Sequence, residues 1–186
     1  MLGGSSGQLL NMSEFARSLG VSQPTVRSYF EIAHGTFLWR LLSSYHHQVK
    51  KRVVKMPKGH FRDSGLVNYF LHNRTEEDLM SHPLCGRIWE SFIIEEILKG
   101  FKNNLIHVEP FFYRTSHHAE VDLVLEGEFG LLPIEIKMGA AISRHDLQSL
   151  NGFLEDQKLS LGIVINNSEE VVMLDQKIIQ IPAGCL

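Results

Sequence analysis

Hydrophobic residues near the start of the chain recur at the spacing of a helix. Phe15, Ala16 and Leu19 predict a short helix, with Ser13 as its N-cap and Gly20 as the residue that ends it. The apolar residue after this glycine leads directly into a further helical pattern. The chain therefore begins with the first of two helices that are joined by a short glycine turn.

The second helix is predicted over residues 23–32, with Ser22 as its N-cap. Pro24 falls in the first turn, where a missing N–H costs nothing. A helix, a glycine turn and a second helix have the form of a DNA-binding helix-turn-helix. In that form Val26 and the pair Tyr29–Phe30 pack inward. The residues expected to face outward, where they could reach phosphates or base edges, are Gln23, Thr25, Arg27 and Ser28.

Strand-like patterns follow the two helices. The apolar run at residues 36–42 predicts a strand. A basic segment follows at residues 50–63, and we expect it to lead back into another strand. A helix-turn-helix followed by strands is typical of a winged helix, which serves either DNA binding or protein packing. Short helices are predicted at residues 64–71 and 75–80. We therefore predict a winged-helix-like module over residues 1–80.

A long amphipathic helix begins the second half of the chain, over residues 84–101. Its hydrophobic residues recur at helical spacing, and Glu95 and Glu96 are expected on its outer face. The predicted buried stripe consists of Leu84, Ile88, Phe92, Ile93, Ile97 and Phe101.

Short apolar strands and one more helix follow. The order α-β-β-β-α-β predicts an α/β fold, more strictly α+β, with a mixed sheet over residues 81–186. The final helix is expected to run from Ser143, its N-cap, to about Asp156. The candidate strands lie at residues 110–115, 119–126, 131–138 and 161–166, with further strand-like pieces at 171–174 and 177–181.

Charged side chains interrupt two of these apolar strands. Asp122 lies between two apolar residues, so strict alternation points its side chain to the opposite face from both. Glu135 and Lys137 are two positions apart and therefore share a face. Adjacent strands could bring Asp122 and Glu135 within reach of one metal ion, with Lys137 beside them and the carbonyl of Ile136 as another ligand.

This set of side chains suits Mg²⁺ or Mn²⁺ and a phosphodiester substrate. Mg²⁺ takes one or two carboxylates, keeps several waters and meets substrate phosphates. Such an ion would polarise the phosphodiester and help to generate hydroxide, while Lys137 would orient the water or stabilise the developing charge. The simpler alternative is a salt bridge from Lys137 to Glu135 or Asp122 at a strand end near solvent.

Charge is distributed unevenly along the 186 residues, although the net charge is only −3. Residues 1–82 carry 10 Lys+Arg against 6 Asp+Glu, and residues 83–186 carry 8 against 15. This shift indicates two modules. The basic residues of the first part of the chain would favour binding to a phosphate backbone or to an acidic partner. The alternative is that they form a solvated basic face. The candidate phosphate contacts in this stretch are Lys50, Lys51, Arg52, Lys55 and Lys58.

Several classes of protein are excluded. No apolar run approaches the roughly 18 residues of a membrane span, and the first residues lack the pattern of a leader peptide, so we expect a cytoplasmic protein. No phosphate loop of the G-x-x-x-x-G-K-[ST] type occurs, so we expect no ATP site. Cys85 and Cys185 make neither a disulfide scaffold nor a metal knuckle. His117 and His118 are adjacent, which favours a surface loop over a shared metal.

The segments GRIWESFIIEEIL, AEVDLVLE and IEIKMG resemble the restriction-endonuclease-like PD-(D/E)xK superfamily. The resemblance implies that Glu90 is the helix glutamate, that Asp122 is the strand aspartate, and that Glu135 and Lys137 form the E-x-K pair. It also implies a catalytic role for these four residues. Some nucleases of this superfamily place a substrate-orienting glutamine where this chain has Gln148, which is otherwise a solvent-facing helix residue.

Almost the whole chain resembles the C-terminal region of prokaryotic AAA+-type ATPases, the domain-of-unknown-function family 4143. The resemblance implies a metal-dependent nuclease or nucleic-acid-binding module, with DNA as partner and an ATPase domain that another chain could supply in trans. The alternative is a non-catalytic module with a degenerate nuclease fold that docks DNA or a protein. Within the first module, the residues that match a characteristic segment of this family are Lys55, Lys58, Phe61, Asp63, Gly65 and Leu66.

Overall fold

The computed structural model describes residues 3–46 and 54–186, and it divides them into two compact units. The described residues up to Leu42 and from Met56 to Phe92 form the first unit, and the others form the second. The described chain is a mixed α/β protein with six α-helices and a large mixed sheet. No helix within the described ranges is long and apolar enough to cross a membrane.

The first unit contains a pair of helices, three strands and two further short helices. A long helix, α5, begins in this unit and continues into the second. The elements in chain order are β1 (Gln8–Leu9), α1 (Met12–Leu19), α2 (Gln23–Gly35), β2 (Trp39–Ser44), β3 (Lys58–Phe61), α3 (Ser64–Leu71), α4 (Glu76–Ser81) and α5 (Cys85–Asn103).

The helix pair forms where the sequence predicts it, with one different cap. Asn11, and not Ser13, caps α1, because its side chain accepts hydrogen bonds from the backbone N–H groups of Ser13 and Glu14. Gly20 ends α1 with a φ of +67°, a conformation that glycine adopts without strain. Ser22 caps α2 as predicted, since its side chain accepts a hydrogen bond from the N–H of Thr25.

The buried stripe of α2 is narrower than predicted. Val26 and Phe30 are buried in the core, as expected. The prediction that Tyr29 packs inward is wrong, because 56% of its surface is exposed. Val26 and Phe30 are four positions apart, so they lie on one face of α2, and this face is enough to cover the small core. Tyr29 lies to the side of that face.

Three antiparallel strands complete the core of the first unit. β3 lies between β1 and β2, and Gly59 of β3 lies opposite Leu41 of β2. The ring of Trp39 covers this glycine, since a Cβ built there would lie 2.4 Å from the Trp39 ring. Trp39 packs with Phe30 and Phe61 in the same hydrophobic cluster. The close approach of ring and backbone therefore requires glycine at position 59.

The second unit is built on a mixed sheet. β4, β5 and β6 are antiparallel neighbours, β6, β7 and β9 run parallel to one another, and β8 is an antiparallel edge strand. The last residues of β2 pair with β4 in parallel. The bounds are β4 (Val108–Arg114), β5 (Glu120–Gly127), β6 (Gly130–Ile136), α6 (Gln148–Asp156), β7 (Gly162–Asn166), β8 (Val172–Met173) and β9 (Ile178–Pro182).

Helix α6 packs on β5, β6 and β7 and begins later than predicted. Leu150, Phe153 and Leu154 of α6 are buried. The helix begins at Gln148, so the prediction of a helix from Ser143 is wrong. Ser143 instead closes a turn of its own, in which its N–H and hydroxyl both donate to the carboxylate of Asp146, at 2.9 and 2.6 Å.

A β-bulge interrupts β5 beside Asp122. Phe111 of β4 lies opposite Val124, whereas Tyr113 lies opposite Val121, so β5 has one extra residue in this interval. Val121 and Val124 both pack in the core cluster under α6, although they are three positions apart. Strict alternation therefore fails at this point, and a bulge is the usual means by which a strand redirects one side chain.

The buried surface of α5 is wider than the stripe that the sequence predicts. Ile93, Ile94, Ile97 and Leu98 are all buried. The expectation of an outer position for Glu95 is wrong, since only 2% of its surface is exposed. Phe92, predicted as buried, is instead 41% exposed. Because the buried arc covers more than half of the helix circumference, it includes residues that a single-stripe pattern assigns to solvent.

We expect Gly59→Ala to destabilise the protein by about 1–3 kcal/mol, because its methyl group would overlap the ring of Trp39. Thermal unfolding measures this loss. Gly86→Ala in α5 is the matched control, since the added methyl group would meet no atom of the described residues within 4 Å outside its own stretch of helix. An equal effect of both substitutions would contradict the close approach.

Candidate functional site

Three of the predicted site residues lie together in the second unit, at the ends of β5 and β6. These strands are antiparallel, and Leu123 lies opposite Ile134. The next pair in this register places Asp122 opposite Glu135, and Lys137 follows directly after β6. The adjacent strands predicted from the sequence are thus present, and they bring the two carboxylates to one end of the strand pair.

Hydrogen bonds fix the three side chains. Lys137 donates from its Nζ to Oε1 of Glu135 at 2.7 Å. Asp122 accepts a hydrogen bond through Oδ2 from the backbone N–H of Ile136 at 2.8 Å. The backbone N–H of Lys137 donates to the carbonyl of Ile165 on β7, which holds the end of β6 in place. Oε2 of Glu135 is buried and has no hydrogen-bond partner among the described residues.

Burial raises the pKa of Glu135 well above its usual value, and the neighbouring carboxylate of Asp122 raises it further. Lys137 lowers this pKa but does not compensate for the desolvation. Burial alone would lower the pKa of Lys137, yet its net shift is upward because Glu135 and Asp122 favour the charged ammonium. Additional positive charge beside Glu135 would therefore favour its ionised form.

Further charged groups surround these residues. Arg114 at the end of β4 forms an ion pair with Glu120 at 3.0 Å. Asp146 adds negative charge near Lys137 and helps to raise the pKa of that lysine. The sequence pattern did not single out Arg114 or Asp146. The pairing of Ser143 with Asp146 in a single turn is the local signal that could have indicated Asp146.

The residues present fit a hard divalent cation. A cation in addition to the ammonium of Lys137 would contact Oε2 of Glu135, which has no hydrogen-bond partner among the described residues. It would also offset the repulsion between Glu135 and Asp122. No group of three or more His, Cys, Asp or Glu side chains within the described ranges has the geometry of a metal site. Mg²⁺ and Mn²⁺ remain compatible with two carboxylates, since Mg²⁺ keeps several water ligands. Donors of this kind do not suit a soft metal.

Glu90, the fourth predicted catalytic residue, belongs to the first unit. Its carboxylate forms an ion pair with Nζ of Lys58 at 2.7 Å, and both side chains are largely buried. Lys58, a predicted phosphate contact, is therefore enclosed in the protein and does not present its ammonium to solvent. This pairing favours a structural role for both residues.

A buried polar network lies beside this ion pair in the first unit. The hydroxyl of Ser91 is 3.0 Å from Nδ1 of His60 and 3.0 Å from the hydroxyl of Ser6. Burial lowers the pKa of His60 well below its usual value, and the positive charges of Lys58 and Arg40 lower it further. His60 is thus neutral, and the sequence pattern gave no indication of this network.

The predicted nucleic-acid contacts of α2 lie at the surface. Gln23, Arg27 and Ser28 are exposed, and Thr25 is half-buried with its hydroxyl 2.8 Å from that of Ser22. Lys55 is exposed in the second unit. The remaining three predicted contacts, Lys50, Lys51 and Arg52, lie outside the described residues.

The chain matches two family models along its length. Residues 85–186 match the family described as "Domain of unknown function (DUF4143)", and residues 1–77 match a second family, described as "Domain of unknown function (DUF8612)". The first match includes Asp122, Glu135, Lys137 and Glu90. No solved structure matches this chain.

Two mycobacterial proteins are similar over almost the whole chain. They are the uncharacterised protein Mb2031c of Mycobacterium bovis and the uncharacterised protein Rv2008c of Mycobacterium tuberculosis. Each is 31% identical over 98% of this chain. The chain spans 40% of the length of each of these relatives.

We expect Lys58→Met to destabilise the first unit by about 3 kcal/mol, because it removes the ammonium that neutralises the buried carboxylate of Glu90. Chemical denaturation measures the loss. Lys55→Met, at an exposed lysine, is the control and should change stability by less than about 0.5 kcal/mol. Equal stability of the two variants would argue against a structural role for Lys58.

We expect Glu135→Gln to stabilise the second unit more at pH 8 than at pH 5. A carboxyl whose pKa is raised by folding costs the folded state progressively more as pH rises above its ordinary value of 4.5. The neutral amide avoids that cost. Melting temperatures of the wild type and the variant at both pH values measure the difference, with exposed Glu128→Gln as control. A gain that is independent of pH would contradict the raised pKa.

Proposed function

We propose, on the premise that this chain belongs to the DUF4143 family, that its second unit is a metal-dependent phosphodiesterase acting on nucleic acid. The observation that carries the proposal is the buried carboxylate of Glu135. It lies near the carboxylate of Asp122 and contacts Lys137 at 2.7 Å, and its Oε2 has no hydrogen-bond partner among the described residues. Perturbed carboxyl groups of this kind are typical of functional sites.

Asp122 and Glu135 are the proposed ligands of Mg²⁺ or Mn²⁺. When bound, such a cation would polarise a phosphodiester and lower the pKa of a water molecule. With the charge of Glu135 offset, Lys137 would be available to orient the attacking water and to stabilise the charge that develops on the phosphate. Glu90 is left out of this set because it is already paired with Lys58.

The proposal extends to the fold of each unit. The order α5-β4-β5-β6-α6-β7, with carboxylates on the second and third strands of this series, supports a restriction-endonuclease-like PD-(D/E)xK fold. The pair α1–α2 followed by β2 and β3 supports a winged-helix-like module. A boundary near residue 80 between these two modules stays part of the proposal.

DNA is the proposed substrate and partner. The exposed Gln23, Arg27 and Ser28 on α2 support it, since a recognition helix presents such side chains to the phosphates and base edges. The association with an AAA+-type ATPase is also a proposal. The greater length of the two mycobacterial relatives is compatible with a further domain in those proteins.

A specific alternative is a non-catalytic module that docks DNA or a protein. The ion pair between Lys137 and Glu135 favours it, because the same contact would stabilise a sheet that performs no chemistry. In that case α2 would still contact phosphates, and Asp122 and Glu135 would bind no cation.

We expect the purified chain to cleave DNA in the presence of Mg²⁺ or Mn²⁺. Asp122→Asn and Lys137→Ala should each reduce the rate by at least about 100-fold, because each removes a charge that acts on the transition state. Single-stranded, double-stranded and supercoiled DNA and RNA are tested in parallel. Lys177→Ala, at an exposed lysine of the same unit, should keep full activity.

Metal binding gives this experiment a second measurement. Mn²⁺ should raise the melting temperature of the wild type and should not raise that of Asp122→Asn. Absence of cleavage, together with salt-sensitive DNA binding that Arg27→Ala weakens, would replace the nuclease proposal with the docking module. Absence of both would direct the search to a protein partner.

A further inference from the structure

A cavity of about 430 Å³ lies in the second unit between the turn that joins β4 to β5 and the start of α6. Three histidines from two different segments line it. His117 and His118 come from the turn, and His145 comes from the residues before α6. The other side chains of the lining with polar atoms belong to Tyr113, Gln148, Ser149 and Asp156.

The turn that carries two of these histidines is held by its own hydrogen bonds. The N–H of Thr115 donates to the carbonyl of Ala119 at 2.9 Å, and the N–H of His118 donates to the carbonyl of Thr115 at 3.1 Å. His118 has a φ of +66°, in the left-handed region that favours glycine. These contacts fix the backbone of the turn from which His117 and His118 line the cavity.

Polar contacts connect the cavity to the carboxylates of the candidate site. Ser149 lines the cavity, and its hydroxyl accepts a hydrogen bond from the N–H of Glu120 at 3.4 Å. Arg114 contacts Nδ1 of His118 through one guanidinium nitrogen at 3.3 Å and Oε2 of Glu120 through another at 3.0 Å. Glu120 is two positions from Asp122 on β5, and its charge helps to raise the pKa of Glu135, so Glu120 lies near the proposed catalytic groups.

We infer that this cavity binds the phosphate of a nucleotide next to the one that is cleaved. The inference rests on the proposed nuclease function and names the contacts of its substrate. A phosphate group only accepts hydrogen bonds, and the imidazoles, the amide of Gln148 and the hydroxyl of Ser149 can all donate. The guanidinium of Arg114 contacts both His118 and Glu120 and supplies positive charge beside the cavity.

Two nucleotides test this assignment directly. Thymidine 3′,5′-bisphosphate and thymidine 5′-monophosphate are titrated into the full chain by calorimetry, with Ca²⁺ and without it. A charged hydrogen bond contributes about 1.5 kcal/mol or more, so the bisphosphate should bind at least about tenfold more tightly than the monophosphate. The signals of the cavity imidazoles in an NMR spectrum should shift with the bisphosphate only.

His118→Gly is the informative variant, because glycine suits the backbone at this position and the melting temperature should be unchanged or higher. The tenfold advantage of the bisphosphate should disappear in this variant. His72→Gly is the matched control, since His72 has a φ of +60° and is exposed in the first unit. The control should keep the full advantage.

The outcomes separate this inference from the nuclease proposal. The phosphate site is overturned if the two nucleotides bind with equal affinity, or if His118→Gly keeps the tighter binding of the bisphosphate. The metal site is still supported in either case if binding requires Ca²⁺. An advantage that His118→Gly removes, with no dependence on Ca²⁺, supports the phosphate site and counts against the metal site. Failure of both nucleotides to bind overturns both.

Discussion

The carboxylate of Glu135 is buried in a sheet whose neighbouring strands are aliphatic, and the arrangement of the site follows from the cost of keeping that group charged. An ionised carboxylate out of water is stable only when positive charge or several donors surround it. Lys137 supplies one contact, and the hydrogen bond from the Ile136 N–H to Asp122 fixes the second carboxylate nearby. The remaining oxygen of Glu135 has no donor among the described residues, and the proposed cation would contact it there.

The first unit also contains buried ionisable side chains, and it stabilises two of them in ways that differ from the contacts of Glu135. Glu90 is neutralised directly by Lys58, so no further charge is required. His60 remains neutral, because burial and the charges of Lys58 and Arg40 all oppose its protonation. Glu90 and His60 have contacts inside the first unit, although Nε2 of His60, like Oε2 of Glu135, has no hydrogen-bond partner among the described residues. Glu135 differs because a second carboxylate, that of Asp122, raises its pKa further.

Local backbone irregularities bring the polar groups of the second unit together. The bulge in β5 redirects the strand beside Asp122, the Ser143–Asp146 turn precedes α6, and the left-handed His118 closes the turn between β4 and β5. Arg114 contacts both His118 and Glu120, so it connects the cavity with the carboxylates. Regular strands and helices provide the rigid frame, and these interruptions determine where its charged side chains meet.

The sequence by itself determined the order of the helices and of the longer strands, the glycine turn between α1 and α2, and the adjacency of the strands that carry Asp122 and Glu135, but it did not predict β1. Periodicity and capping are local properties, so the neighbouring residues suffice to predict them. Tertiary structure decided the burial of Glu95, the exposure of Tyr29 and Phe92, and the pairing of Lys58 with Glu90. Burial and exposure depend on how much of each helix surface the other elements cover, and the ion pair depends on residues that are far apart in sequence. A pattern of neighbouring residues contains neither kind of information.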